Sequence, residues 1–172
     1  MLTSTTIFTA LVALAGAFGG AYLNNRFTDH RWQKQISHER EKEERILLRS
    51  KGEETFKLLK KWEKELFIFH SSRIAFLQKN IQKNEMEKNI DGAVNISTHG
   101  ELSVLIDLYF SELSKDLEAI HKQVSKVNQI YFKGENQIWA YAASQEMANE
   151  CIVYERLLEH FSRKLKSKIK SI

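Results

Sequence analysis

Proline is absent from this 172-residue chain and cysteine occurs once, as Cys151. A lone cysteine excludes an intramolecular disulfide framework, so buried apolar surface must hold the fold, and a reducing compartment suits it. The lack of proline removes the strongest breaker of helices. Glycine is scarce as well. Of seven glycines, only Gly52, Gly92, Gly100 and Gly134 lie beyond the first 25 residues, where they are the available punctuation. Neither a P-loop nor a dinucleotide-binding glycine pattern is present. No alternating strand pattern competes with helical spacing, so the expected class is all-α.

Charge is missing from one place. Residues 1–25 contain no Asp, Glu, Lys or Arg, whereas residues 26–172 carry all 26 basic and all 22 acidic side chains. As a helix, Thr3 to Leu23 would span roughly 30 Å, the thickness of a bilayer hydrocarbon core. A basic n-region, the opening of a secretory signal, is also lacking between Met1 and Thr6. The run is therefore expected to be a retained single-pass transmembrane helix. Arg26, Arg31 and Lys34 follow it and no basic side chain precedes it. That asymmetry predicts an N-terminus outside and the bulk of the chain in the cytoplasm, with Tyr22 near the inner interface. Gly16 and Gly20 form a Gly-x-x-x-Gly pair beside Ala13 and Ala17, a small-residue face suited to helix association in lipid. A homo-oligomer is the expectation.

Residues 26–50 carry charges of both signs at helical spacing, with few apolar residues among them, such as Trp32, Ile36, Ile46, Leu47 and Leu48. The pattern describes a solvated helical stalk. Residues 51–172 read as an antiparallel three-helix bundle with coiled-coil-like packing, or a four-helix bundle if the stalk reverses at Gly52. Ser50 with Glu53, and Thr98 with Glu101, have the spacing of a capping box and mark expected helix starts. The helices are expected over Glu53 to about Lys88, Glu101 to Lys133, and Glu135 to about Lys170.

Apolar stripes support this division. Ile106, Phe110, Leu113, Leu117, Ile120, Val124, Val127 and Tyr131 step by fours and threes, as a heptad seam does. Leu59, Trp62, Leu66, Phe69 and Phe76 lie beside a second stripe of Phe67, His70, Ile74, Leu77 and Ile81. The last helix presents Ile138, Trp139, Tyr141, Ala148, Ile152, Leu158, Phe161 and Leu165.

Chemistry-bearing motifs are sparse. Glu118 and His121 have the Glu-x-x-His spacing of di-iron bundles, but no second copy accompanies them, so no metal site and no cofactor are expected. His70, on an apolar stripe, is expected to be a packed, hydrogen-bonded core histidine. Cys151, among small residues, reads as buried rather than reactive. Arg31 and His38 have an Arg-x6-His spacing, a superficial resemblance to HEPN-type ribonucleases; that resemblance implies a nuclease, but both residues fall in the charged stalk. A net charge of +4 is too small to point to nucleic acid.

Two surfaces remain as candidates. Tyr131, Phe132, Trp139 and Tyr141 crowd the Gly134 turn and form a candidate partner-docking patch. Arg163, Lys164, Lys166, Lys168 and Lys170 form a basic C-terminal tail, a candidate lipid contact should the last helix return toward the bilayer. The function expected is non-enzymatic: a membrane-anchored bundle that oligomerises and recruits protein partners. The alternative is a membrane-disrupting effector whose N-terminal helices associate when a partner releases them.

Overall fold

The computed structural model describes residues 4–135 and 139–172; within the first helix, the side chains of residues 4–7, 10, 11, 21 and 23 lie outside the description. Every element among the described residues is helical. Helix α1 runs over Ser4–Leu77, α2 over Lys83–Ala93, α3 over Ile96–Tyr109, α4 over Ser114–Gly134 and α5 over Ala140–Ser171, with a single 3-10 turn at Ser111–Leu113. The chain forms two compact units, Met1–Ile46 and Leu47–Ile172.

In the first unit every described side chain from Phe8 to Ile46 is exposed. Its polar contacts are local to the helix. Thr28 Oγ1 donates to the Asn24 carbonyl at 2.8 Å, Gln35 Nε2 donates to Glu39 Oε1 at 3.1 Å, and Arg45 pairs with Glu41 at 3.8 Å. Such one-turn pairs each stabilise a helix by about 0.2–0.5 kcal/mol. Among the described residues no helix is long and apolar enough to cross a membrane. Ile7, Leu11 and Leu23, three of the most apolar residues in the charge-free run, fall outside the described side chains.

The helix start expected at Ser50 and Glu53 is not there, because α1 passes through Gly52 without a break. Glu53 instead pairs with Arg49 of the preceding turn at 3.7 Å. A glycine inside a helix costs only about 1 kcal/mol relative to alanine. Gly52 offsets this cost by close packing: a Cβ there would come within 2.6 Å of Ile169 Cγ1 and 3.4 Å of the Phe110 ring.

The second unit is a four-helix bundle whose fourth helix is not the stalk. Residues 47–77 of α1 run from the end marked by Gly52, Phe110 and Ile169 to the end marked by Leu77, Gly134 and Ala143. There the chain reverses. Lys79 takes a left-handed conformation (φ 61), while its N–H donates to the Phe76 carbonyl and the Asn80 N–H to the Ala75 carbonyl. These two bonds satisfy helix-end acceptors in the way a C-terminal glycine usually permits. Helices α2 and α3 then descend together, broken at Val94 and Asn95. The Asn95 side chain accepts from the Ser97 N–H at 3.0 Å, so it caps α3 where Thr98 was expected to. Thr98 lies within the helix, and its hydroxyl donates to the buried Glu65 carboxylate at 3.0 Å.

The expected seam helix is two helices. At Phe110 the backbone leaves the helix (φ −139, ψ 42), and the short turn that follows folds α4 back along α3. Ser114 Oγ donates to Asp107 Oδ1 across this corner at 2.7 Å. The seam residues are nevertheless buried apart from half-buried Val124, because a helical hairpin turns both inner faces toward one core. Helix α5 descends last. Its buried face is Ala143, Met147, Cys151, Tyr154, Leu158, Phe161 and Leu165. Trp139, Tyr141 and Ile152, expected on that face, are exposed, as is Phe67 of α1, and Ile138 lies outside the described residues. Full burial of a side chain such as Leu59 or Phe161 contributes roughly 1.5–3 kcal/mol, and the core holds many from all four layers.

Candidate functional sites

On the N-terminal helix, Ala13, Gly16, Ala17 and Gly20 are exposed, and nothing lies within 4 Å of a Cβ built at Gly16 or Gly20. Their one-face spacing is preserved because α1 is continuous there. Arg31 and His38 also sit exposed on α1, His38 only 4.0 Å from Glu41, with no enclosing pocket around the two.

The aromatic patch is smaller than expected. Tyr131 is buried at 3 % exposure, whereas Phe132, Trp139 and Tyr141 are each more than 60 % exposed. Tyr131 is held inward by Arg73, whose guanidinium lies 4.2 Å from its ring centroid and 3.9 Å from that of Phe69. Its hydroxyl donates to Met86 Sδ at 3.7 Å, and burial pushes its pKa up to about 12. The exposed part of this patch is therefore Phe132, Trp139 and Tyr141.

The basic tail divides likewise. Lys164 pairs with Asp116 at 2.8 Å and Lys168 with Glu112 at 2.7 Å, so two of its cations fasten the end of α5 to the start of α4 and to the 3-10 turn before it. Arg163 pairs with Glu159 on its own helix at 3.5 Å. Lys166 and Lys170 flank a groove of about 370 Å³ floored by Phe56 and Ile169. Helix α1 does not reverse at Gly52, yet α5 ends beside that residue, with Ile169 packed against it, so the tail lies at the end of the bundle where α1 enters.

Two histidine environments stand out in the core. His70 packs between the Phe69 and Tyr154 rings, at centroid distances of 5.1 and 5.4 Å, as expected. It is not hydrogen-bonded, however: both ring nitrogens are buried without a partner. Burial, aided by the nearby Arg73 charge, pulls its pKa down to about 3. Cys151 of α5 is buried as well, and burial pushes its thiol up to about 11, which keeps it protonated at neutral pH.

The second environment was not foreseen. His121 meets His99 of α3, Nε2 to Nε2, with ring centroids 4.1 Å apart. Trp62 of α1 packs against both rings at 5.1 and 5.7 Å. Glu118, the expected companion of His121, is exposed and pairs with Lys122 at 2.7 Å. Beside His99 a cleft of about 380 Å³ opens at the α2–α3 break, with Glu65, Asn95 and Asn128 on its walls. The signal was hidden because the two histidines converge only across the corner at Phe110, which no proline or glycine marks.

These features define an all-α protein with an up-down-up-down four-helix bundle. No family model, curated protein or solved structure matches the chain.

Proposed function

We propose that this is a non-enzymatic, single-pass membrane protein whose bundle recruits protein partners in the cytoplasm and whose N-terminal helices self-associate. The observation that carries the reading is the charge-free run of residues 1–25 together with the exposure of the side chains described there. Phe8, Val12, Leu14, Phe18 and Tyr22 are all at least half exposed on one stretch of α1. Soluble monomers rarely leave so much contiguous apolar surface in water, and acyl chains would cover it on every side. The basic flank at Arg26, Arg31 and Lys34 supports a cytoplasmic bundle. Phe132, Trp139 and Tyr141, apolar in body and exposed at the α4–α5 turn, support docking of a protein partner there.

The test is alkaline carbonate extraction of membranes from cells expressing the full chain or the chain lacking residues 1–25. The full chain is expected to stay in the pellet and the truncated one to appear in the supernatant. Extraction of both would overturn the anchor. A second reading, the membrane-disrupting effector, rests on the same small-residue face. It requires that overexpression collapse the membrane potential only when residues 1–25 are present, whereas a harmless anchored protein leaves the potential intact.

A further inference from the structure

His99 and His121 are separated by a helix corner in sequence, yet their Nε2 atoms face one another. At most one of two facing imidazole nitrogens can carry a proton without repulsion, so a lone pair is directed into the space between the rings. Trp62 backs both rings from α1, and Ser103 Oγ lies 3.5 Å from His99 Nε2. Both rings are half-buried, leaving their outer edges open to water.

We propose that His99 and His121 form a two-imidazole site for a divalent late first-row transition ion, with water completing its coordination. Imidazole donors suit copper, nickel and zinc, and the general affinity order puts copper(II) ahead of the other two. Magnesium and calcium, which require oxygen cages, are excluded by the same donor set. Metal–nitrogen bonds of about 2.0–2.1 Å place neighbouring nitrogens roughly 3 Å apart; small rotations about the side-chain bonds supply that spacing because one side of the pair is open. Among the described residues no three His, Cys, Asp or Glu side chains converge, so the ion would be solvent-completed and removable by chelators. It would clasp α3 to α4 and thereby stabilise the bundle by linkage.

The full chain in mild detergent, first stripped with a chelator, is titrated with copper(II), zinc or magnesium chloride and melted. Copper and zinc are expected to raise the melting temperature by about 5 °C or more near saturation, and magnesium to leave it unchanged. His121→Gln and His99→Gln should each abolish the metal-dependent shift, while His160→Gln, an exposed histidine on α5, keeps it. Electron paramagnetic resonance of bound copper gives a readout independent of stability: a species with two nitrogen ligands in the wild type that is lost in His121→Gln. The absence of any shift with both ions, or the same copper spectrum in His121→Gln, would overturn the site.

Discussion

His70 concentrates the chemistry of the core in one side chain. It is a polar ring with 1 % exposure, no hydrogen-bond partner, and Arg73 for a charged neighbour on its own helix. Tyr154 faces it from α5; the pKa of that tyrosine is raised by burial, and it shares a hydrogen bond with Cys151. The fold therefore requires a neutral imidazole. Its folded pKa, about 3, lies below the ordinary 6.5, so as pH falls through 6.5 the unfolded chain takes up a proton that the folded chain refuses. Stability is present above that value and is lost progressively as pH drops toward 3. At pH 5 the loss from this one group is about 2 kcal/mol relative to pH 7. His70→Phe removes both orphaned nitrogens and the titration together. Urea melts of the two proteins at pH 7 and pH 5 should show a smaller pH-dependent loss in the variant by about that amount; parallel losses would mean that His70 does not titrate on unfolding.

At the level of elements, apolar spacing was readable and helix ends were not. Ile106 to Tyr131 and Leu59 to Leu66 stand where the periodicity put them, because burial repeats with the turn of the helix whatever happens between turns. The ends failed for physical reasons specific to each. Gly52 packs against Ile169 instead of terminating α1, Lys79 takes a left-handed conformation more usual for glycine, and Phe110 leaves the helix because its ring is driven into the core. The histidine pair and the descending α2–α3 layer depend on these corners, so neither could be read from local spacing. Gly134 did mark a real boundary, and its environment differs from that of Gly52. A Cβ on Gly134 would meet Ala143 Cβ at 2.4 Å, and alanine has no side-chain rotation with which to yield. Gly134→Ala should therefore cost about 1–3 kcal/mol by overpacking. Gly52→Ala meets Ile169 Cγ1 at 2.6 Å, which a turn of that side chain in the last turn of α5 can relieve, and against this cost it gains about 0.8–1.0 kcal/mol of helix propensity. Thermal melts should rank Gly52→Ala well above Gly134→Ala; the reverse order would show that backbone shifts at the turn are cheap.

At the scale of the whole molecule, residues 1–25 carry no charged side chain, and the apolar side chains described there, such as Phe8, Phe18 and Tyr22, are exposed. Lipid would satisfy the charge-free stretch without any protein contact, so the proposed anchoring and the proposed self-association would be separable properties of the same helix. Its two faces differ in shape. Ala13, Gly16, Ala17 and Gly20 leave one side nearly flat, whereas Leu14, Phe18 and Tyr22, spaced four apart, project from the other. A flat face allows two backbones to approach closely, which is where dispersion and weak hydrogen bonds accumulate in lipid. Replacing Gly16 and Gly20 together with leucine removes the close approach while adding apolar surface. The variant is thus expected to remain in the carbonate-resistant membrane pellet yet lose most of the dimer seen by chemical cross-linking in intact membranes. Unchanged cross-linking would assign association to the bundle, and loss from the pellet would mean that glycine at these positions serves insertion rather than contact between copies.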